Sequence, residues 1–121
     1  MAYRLVIISP CRDEAQFLET MIASVAGQTH LPEQWLIVDD GSQDQTPEIL
    51  AAAARRYPWL RSVRREQSGQ RQLGPGVVAA FNYGLAHLGD QDYDCIAKLD
   101  CDLEFGPDTF AAILRHFADP R

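Results

Sequence analysis

The 121-residue chain is poor in cysteine: Cys11, Cys95 and Cys101 form no CxxC pair, and no signal-peptide layout precedes them. Neither a disulfide framework nor a structural zinc site is thereby suggested, and a reducing cytoplasm fits best. No apolar run approaches the length of a membrane span. The net charge of -6 leaves no broad basic face for nucleic acid. Arg55, Arg56, Arg61, Arg64, Arg65 and Arg71 do cluster in mid-chain, but they read as a solvated helix end and an exposed strand before they read as a binding patch. Internal repeats, low-complexity tracts and flexible linkers are also lacking.

What is present, 46% apolar residues in this length, suffices for one modest domain or a piece of one, not for two. The stretch that organises the rest is Leu36-Ile37-Val38-Asp39-Asp40-Gly41-Ser42-Gln43-Asp44. Its apolar run stops at two carboxylates and dissolves into turn residues, as a buried parallel strand does. Gly41 permits a turn that a side chain would hinder, and Ser42 and Asp44 can bond local backbone. Ligands of open α/β sheets bind just beyond such carboxyl ends.

In chain order, Leu5–Ile8 is a first strand ending at Ser9-Pro10. Asp13 is a candidate cap, with Gln16 three residues on, for a helix whose stripe is Leu18, Met21, Ile22 and Val25 and which Gly27 ends. Trp35–Val38 is a second strand, reached by a crossover long enough for a right-handed parallel unit. Thr46-Pro47 reads as N-cap and first residue of a helix with Ile49, Leu50, Ala53 and Tyr57 inward. Leu60–Arg65, with charges in its middle, reads as an edge strand. A polar loop, 67–76, leads to a helix with Val77, Val78, Phe81, Leu85 and Leu88 on one face. Cys95–Leu99 is a fourth strand stopping at Asp100-Cys101-Asp102, and Pro107 opens a last helix with Phe110, Ile113, Leu114 and Phe117 inward. This βαβαβαβα order predicts an α/β fold: a mainly parallel four-stranded sheet with helices on both faces, its first two strands central. The abrupt finish at Asp119-Pro120-Arg121 reads as a domain cut short, with the fourth strand left as an open edge and an apolar patch that favours homodimerisation or marginal solubility.

Parallel strands place their carboxyl ends on one rim, and acids stand at three of them: Asp13 and Glu14, Asp39 and Asp40, Asp100 and Asp102. Crowded carboxylates repel one another unless a cation or donor groups compensate, which makes a divalent cation a natural expectation. In Asp100-Cys101-Asp102, residues two apart in extended chain point the same way, about 7 Å apart. One carboxylate could bind a metal while the other reaches it through water or holds a sugar hydroxyl. Oxygen ligands in so incomplete a set suit Mg2+ or Mn2+ completed by substrate phosphates.

Pro10-Cys11-Arg12-Asp13-Glu14, Val38-Asp39-Asp40-Gly41-Ser42-Gln43-Asp44, Ala80-Phe81-Asn82-Tyr83-Gly84 and Leu99-Asp100-Cys101-Asp102 together resemble, in order and spacing, the successive motifs of family 2 glycosyltransferases of the GT-A (Rossmann-like) fold. The resemblance spans essentially the whole chain, 1–121, as one nucleotide-sugar donor-binding half-domain. It implies sugar transfer from a nucleotide-diphosphate donor, a UDP-sugar first, to a saccharide or lipid-linked acceptor hydroxyl, with inversion and a divalent metal. On that analogy Pro10, Arg12, Glu14, Asp39, Asp40 and Gly41 lie at the nucleoside, Asp100 at the ribose or metal, and Asp102 at the metal. Arg71 is a candidate for the diphosphate, since a guanidinium pairs well with phosphate oxygens; a solvated loop position is an equal reading of it. Asn82 and Gly84 serve helix packing or the donor loop rather than chemistry.

Arg12 and Asp13 depart from the family, which commonly has an aromatic and an asparagine there, so donor base and sugar do not carry over. Cys11 and Cys101 border the proposed site as packing residues. The resemblance places the general base, an Asp or Glu that takes the acceptor proton, downstream of this chain. Among rivals, a phosphorelay receiver needs an acidic pair after strand one and a lysine after a fifth strand. A dinucleotide-dependent oxidoreductase needs a GxGxxG after strand one, and Gly69 to Gly76 lies far from it. A non-catalytic nucleotide-binding module is the remaining alternative. The expected location is the cytoplasm, or the inner membrane face as a peripheral protein at full length.

Overall fold

A computed structural model of the chain describes residues 3–66, 75–89, 92–101 and 103–118. Eight elements alternate: β1 (Leu5–Cys11), α1 (Ala15–Ala26), β2 (Gln34–Asp40), α2 (Thr46–Arg56), β3 (Leu60–Arg65), α3 (Pro75–Leu88), β4 (Cys95–Lys98) and α4 (Thr109–Ala118). All strand pairs are parallel, in the order β3-β2-β1-β4. The two most apolar strands are central, as their burial on both faces demands.

One face of the sheet carries α1, α2 and α4. There Leu5, Ile7, Trp35 and Ile37 pack with Leu18, Met21, Val25, Leu50, Phe110 and Leu114. The other carries α3, against Val6, Ile8, Leu36 and Val38. This alternation within β1 and β2 is the period of two expected of strands sandwiched between helices. Trp35 is wholly buried, and its indole N–H donates to the Ser9 hydroxyl at 2.8 Å, so its one polar atom is satisfied.

Several local expectations are corrected. β1 and β2 run on to Cys11 and Asp40, so the acids at the rim of β2 are strand residues. β4 ends at Lys98, although the Leu99 amide still donates to the Ile8 carbonyl at 3.2 Å. The α3 helix starts at Pro75, inside the stretch expected to be loop, and proline suits a first helical position because its missing N–H has no partner to lose there. Its inward face is Ala80, Gly84 and Leu88, with Phe81 and Tyr83 partly buried, whereas Val78 and Leu85 are exposed. The small residues let α3 lie close to the sheet, and that rotates the larger ones outward. Ile113 of α4 is likewise exposed, while Phe110 and Leu114 are buried. The side chains of Val77 and Phe117 lie outside the described residues.

Close approach of α3 depends on Gly84: a methyl group there would meet Ile8 Cγ2 at 2.8 Å and Val38 Cγ2 at 3.0 Å. Asn82, its neighbour in the motif, is exposed. At the far edge Arg4 ties the approach to β4, its guanidinium pairing with Asp94 at 3.2 Å and with Asp92. The Arg4 hydrogen bonds hold the Asp94 carboxyl below its usual range. β4 and α4 enclose a small recess lined by Leu5, Ile7, Cys95, Ala97, Leu99, Phe110 and Ile113, all apolar or cysteine.

Gly84→Ala is therefore expected to cost about 1–3 kcal/mol through overpacking, read as a lowered urea midpoint, whereas Gly106→Ala, whose added methyl would find its nearest neighbour at 4.0 Å, should leave the midpoint nearly unchanged.

Candidate functional site

The rim at the carboxyl ends of β1 and β2 is built by two turns that bond each other. The β1–α1 turn bends at Asp13, whose φ of 52° is left-handed, a conformation that aspartate tolerates better than most side chains. The β2–α2 turn bends at Gly41, φ 75°, where only glycine is unstrained. With both chains so turned, Asp13 Oδ1 accepts from the amides of Gln43 at 2.7 Å and Asp44 at 3.3 Å. In return the Asp13 amide donates to Ser42 Oγ at 2.9 Å, the Glu14 amide to Thr46 Oγ1 at 3.2 Å and the Ala15 amide to Asp44 Oδ2 at 3.2 Å.

The capping expectation is corrected accordingly. Asp13 does not cap α1; Glu14 is the N-cap residue, without a side-chain cap bond. The groups that satisfy the start of α1 come from Asp44 and Thr46, across the turn pair. Thr46 is itself the first residue of α2, one place inside the expected cap, and its amide is held by Asp44 Oδ1 at 2.8 Å. Asp44 thus serves two helix N-termini, where a carboxylate also favours the helix dipole. Burial pushes its carboxyl up, but bonds from the Thr46 hydroxyl and the Thr46 and Ala15 amides outweigh that and leave it below the ordinary range.

The carboxylates of β2 are compensated from the edge strand. Parallel register sets Asp39 opposite Arg64 and Asp40 opposite Arg65. Arg64 Nη1 donates to Asp39 Oδ2 at 2.8 Å and Nη2 to the Ser42 carbonyl at 3.1 Å; Arg65 Nη1 donates to Asp40 Oδ1 at 2.8 Å. Asp39 Oδ1 accepts from the Ser42 amide at 3.0 Å, so both its oxygens are engaged and its side chain is only 4% exposed. Arg64 is held above the ordinary arginine range by its bond to Glu66, with Asp39 adding to it. The repulsion anticipated among rim acids is therefore met at β2 by arginines and at Asp13 by backbone amides. Sequence reading took Arg64 and Arg65 for solvated strand positions. The signal that would have found them is that neighbouring parallel strands end in Asp-Asp and Arg-Arg at the same level.

On the other side of β1, Ile8 pairs with Lys98, the last residue of β4, and the turn that carries Asp100 and Cys101 follows directly. Asp100 is exposed and accepts from Lys98 Nζ at 3.1 Å. Cys11 and Cys101 are both buried. A hydrogen bond with Cys101, and then burial, hold the Cys11 thiol far above the ordinary thiol range, with Asp39 and Glu14 adding to the effect. The chain beyond is pinned from the turn after α1: Gln28 Nε2 donates to the Gly106 carbonyl at 2.6 Å and its Oε1 accepts from the Phe110 amide at 2.9 Å.

The structure thus brings Pro10, Arg12, Glu14, Asp39, Asp40, Gly41 and Asp100 to one rim of the sheet, with Arg12 and Glu14 half-buried. Arg71 and Asp102 lie outside the described residues. Among the described residues no group of three or more His, Cys, Asp or Glu is placed to hold a metal. No helix among them is long and apolar enough to cross a membrane.

A parallel β3-β2-β1-β4 sheet with acids along its carboxyl rim is the GT-A arrangement of glycosyltransferases. Among solved structures it is similar to the mannosyltransferase PcManGT of Pyrobaculum calidifontis in complex with GDP-Man and Mn2+, with TM-score 0.77, 25% identity, and coverage of 99% of this chain and 34% of that one. S. aureus TarS 1-349 in complex with UDP superimposes with TM-score 0.72 at 19% identity, over 93% of this chain and 31% of that one.

Residues 6–121 match the family described as Glycosyl transferase family 2, and the chain belongs to that family. Curated relatives include the N-acetylglucosaminyl-diphospho-decaprenol L-rhamnosyltransferase of Mycobacterium tuberculosis, 30% identical over 91% of this chain and 36% of the relative. The beta-monoglucosyldiacylglycerol synthase of Synechocystis sp. is 36% identical over 73% of this chain and 17% of the relative. The chain therefore spans about a third or less of the relatives it matches.

Asp44→Ala, which removes the shared acceptor of two helix starts, is expected to cost ~1 kcal/mol near neutral pH. Because the folded carboxyl lies below its unfolded value, that advantage is present above about pH 4 and fades as the pH falls through the lower folded value. Thermal melts of both proteins across pH 2–7 should converge at the acid end.

Proposed function

We propose that the chain is the donor-binding half of an inverting glycosyltransferase that moves a sugar from a nucleotide diphosphate to an acceptor hydroxyl with the help of a divalent cation. The observation that carries this reading is the convergence on one rim of Asp40, the last residue of β2 and held by Arg65, with the Asp100 turn two strands away. Its membership of family 2 supports the same reaction class.

In this reading the nucleoside lies over the ends of β1 and β2, against Pro10, Arg12, Glu14, Asp40 and Gly41. Asp39, with both oxygens engaged, contributes by holding the turn that presents Asp40. Arg65 holds the Asp40 carboxylate oriented, ready to accept from a donor N–H or hydroxyl. Arg71 is assigned to the diphosphate.

Mg2+ or Mn2+ fits the rim next to β4. Asp100 offers hard oxygen donors on an exposed turn, and a set this small suits an ion that completes its shell with phosphate oxygens. Asp100 and Asp102 would hold it; when bound it neutralises the diphosphate as a leaving group. That relatives are known in complex with Mn2+ and GDP-Man, or with UDP, supports the choice of cofactor and of a nucleotide-sugar donor, a UDP-sugar first. The acceptor is a saccharide or a lipid-linked saccharide, and the general base comes from the remainder of the protein. The three free cysteines favour the cytoplasm.

A non-catalytic nucleotide-binding module is the second reading.

Calorimetric titration with UDP-, GDP- and dTDP-sugars, with and without Mn2+, tests the proposal. One donor class should bind in a Mn2+-dependent manner, with affinity falling at least about tenfold in Asp102→Ala, the loss of one charged metal ligand. Absence of binding both in this chain, folded, and in the full-length protein would refute it; binding without sugar transfer by the full-length protein would select the second reading.

A further inference from the structure

We propose that Arg64 is a positioning residue for donor binding: its guanidinium clamps the two residues that flank Asp40-Gly41 and thereby sets where Asp40 stands at the rim.

The geometry is a fork closed on one turn. Nη1 donates to Asp39 Oδ2 at 2.8 Å and Nη2 to the Ser42 carbonyl at 3.1 Å, so one rigid, planar group holds both ends of the turn 39–42. Between those ends Gly41 takes its left-handed φ of 75°. The Ser42 amide closes the turn from within by donating to Asp39 Oδ1 at 3.0 Å. Ser42 Oγ also accepts from the Asp13 amide at 2.9 Å, so this one buried residue is gripped at its amide, its carbonyl and its hydroxyl. Through that hydroxyl the clamp reaches the β1–α1 turn, where Asp13 Oδ1 takes the Gln43 and Asp44 amides.

Arg64 is itself held in place. It stands in register with Asp39 near the end of β3, and its carbonyl accepts from the Tyr83 hydroxyl of α3 at 3.3 Å. Nε donates to Glu66 at 2.7 Å, but that side chain is 77% exposed. The two inward bonds therefore make the clamp, and the Glu66 bond is peripheral to it.

Arg65 has a different part. Neighbouring residues of a strand face opposite sides of the sheet, and Arg65 bonds the Asp40 carboxylate itself. Arg64 fixes the chain on either side of that residue.

Charge alone does not do this. An ammonium at position 64 would still balance the Asp39 carboxylate, but a point charge on a flexible stem lacks the planar fork that spans Asp39 and Ser42 together. Removing the charge outright would leave Asp39 buried and unpaired, which threatens the fold itself. Arg64→Lys thus separates holding the turn from balancing its charge. The consequence for donor binding rests on the donor-site reading; the clamp does not.

The test compares the wild-type chain with Arg64→Lys and Glu66→Gln by amide hydrogen exchange, urea unfolding and calorimetric titration with UDP, GDP and dTDP in the presence of Mn2+. In Arg64→Lys the amides of Asp13, Ser42, Gln43 and Asp44 should exchange at least about tenfold faster, the size of one charge-assisted hydrogen bond. The diphosphate that binds the wild type should bind about tenfold more weakly on the same ground. Core amides such as those of Ile7 and Ile37, and the urea midpoint, should stay close to wild type. Glu66→Gln, which leaves both inward bonds in place, should match the wild type in all three measurements.

Unchanged turn exchange in Arg64→Lys overturns the clamp. Exchange that rises throughout the chain in step with a fallen midpoint, or a variant that does not fold, also overturns it, because Arg64 then serves stability alone. Faster turn exchange with undiminished affinity overturns the role in binding. If the wild-type chain binds none of the three diphosphates while the turn amides respond as expected, the result counts against the donor-site reading and the clamp stands.

Discussion

The site depends on the reciprocal bonding of two βα turns. Neither turn is self-sufficient: each exposes backbone amides that its own helix start cannot satisfy, and each supplies side-chain oxygens at the height where the other's amides lie. Helix starts ordinarily carry their own caps. Here α1 is served from Asp44 and Thr46, and the Gln43 and Asp44 amides are served from Asp13. The exchange fixes the spacing of the two strand ends over which a nucleoside would lie, and it requires the left-handed backbone at Asp13 and Gly41. Order at this rim is thus a property of the turn pair, not of either loop alone.

A second constraint concerns charge. Asp39 and Asp40 are buried at the strand end, where unpaired carboxylates would be held at a large desolvation cost. The edge strand resolves this with two arginines in register, one committed to the turn through Ser42 and the other to Asp40. β3 is therefore more than a sheet edge: its last two residues neutralise the two buried carboxylates at the end of β2. The turn after β4 is different: among the described residues Asp100 is ion-paired with an exposed lysine alone. On the proposed donor-site reading, that contrast would separate a pre-compensated nucleoside side from a phosphate side that can still accept a cation.

Much of this was legible in the sequence, for identifiable reasons. Continuous apolar runs at 5–8 and 35–38 fit only doubly covered strands, and the arginines within 60–65 fit only an edge, so strand order followed. Helix faces were less legible at α3, because the close seat depends on the absence of a side chain at Gly84 while periodicity weights the large residues Val78 and Leu85. The capping pattern misled at Asp13 and Thr46, since a local motif cannot reveal that its oxygens serve a neighbouring helix thirty residues away. The arginine pairing was missed for the same reason. It is a cross-strand relation visible only once register is known.

The central claim is that the ends of β1, β2 and β4 form one metal-dependent donor site. It is tested most directly by paramagnetic line broadening in an amide NMR spectrum of the chain titrated with substoichiometric Mn2+ in the presence of UDP. The account predicts broadening centred on residues 99–103 and extending to 10–13 and 40–42, and reversed by excess Mg2+. Broadening centred instead on exposed acids away from the rim, such as Asp92 or Glu48, or spread without a centre, would contradict it.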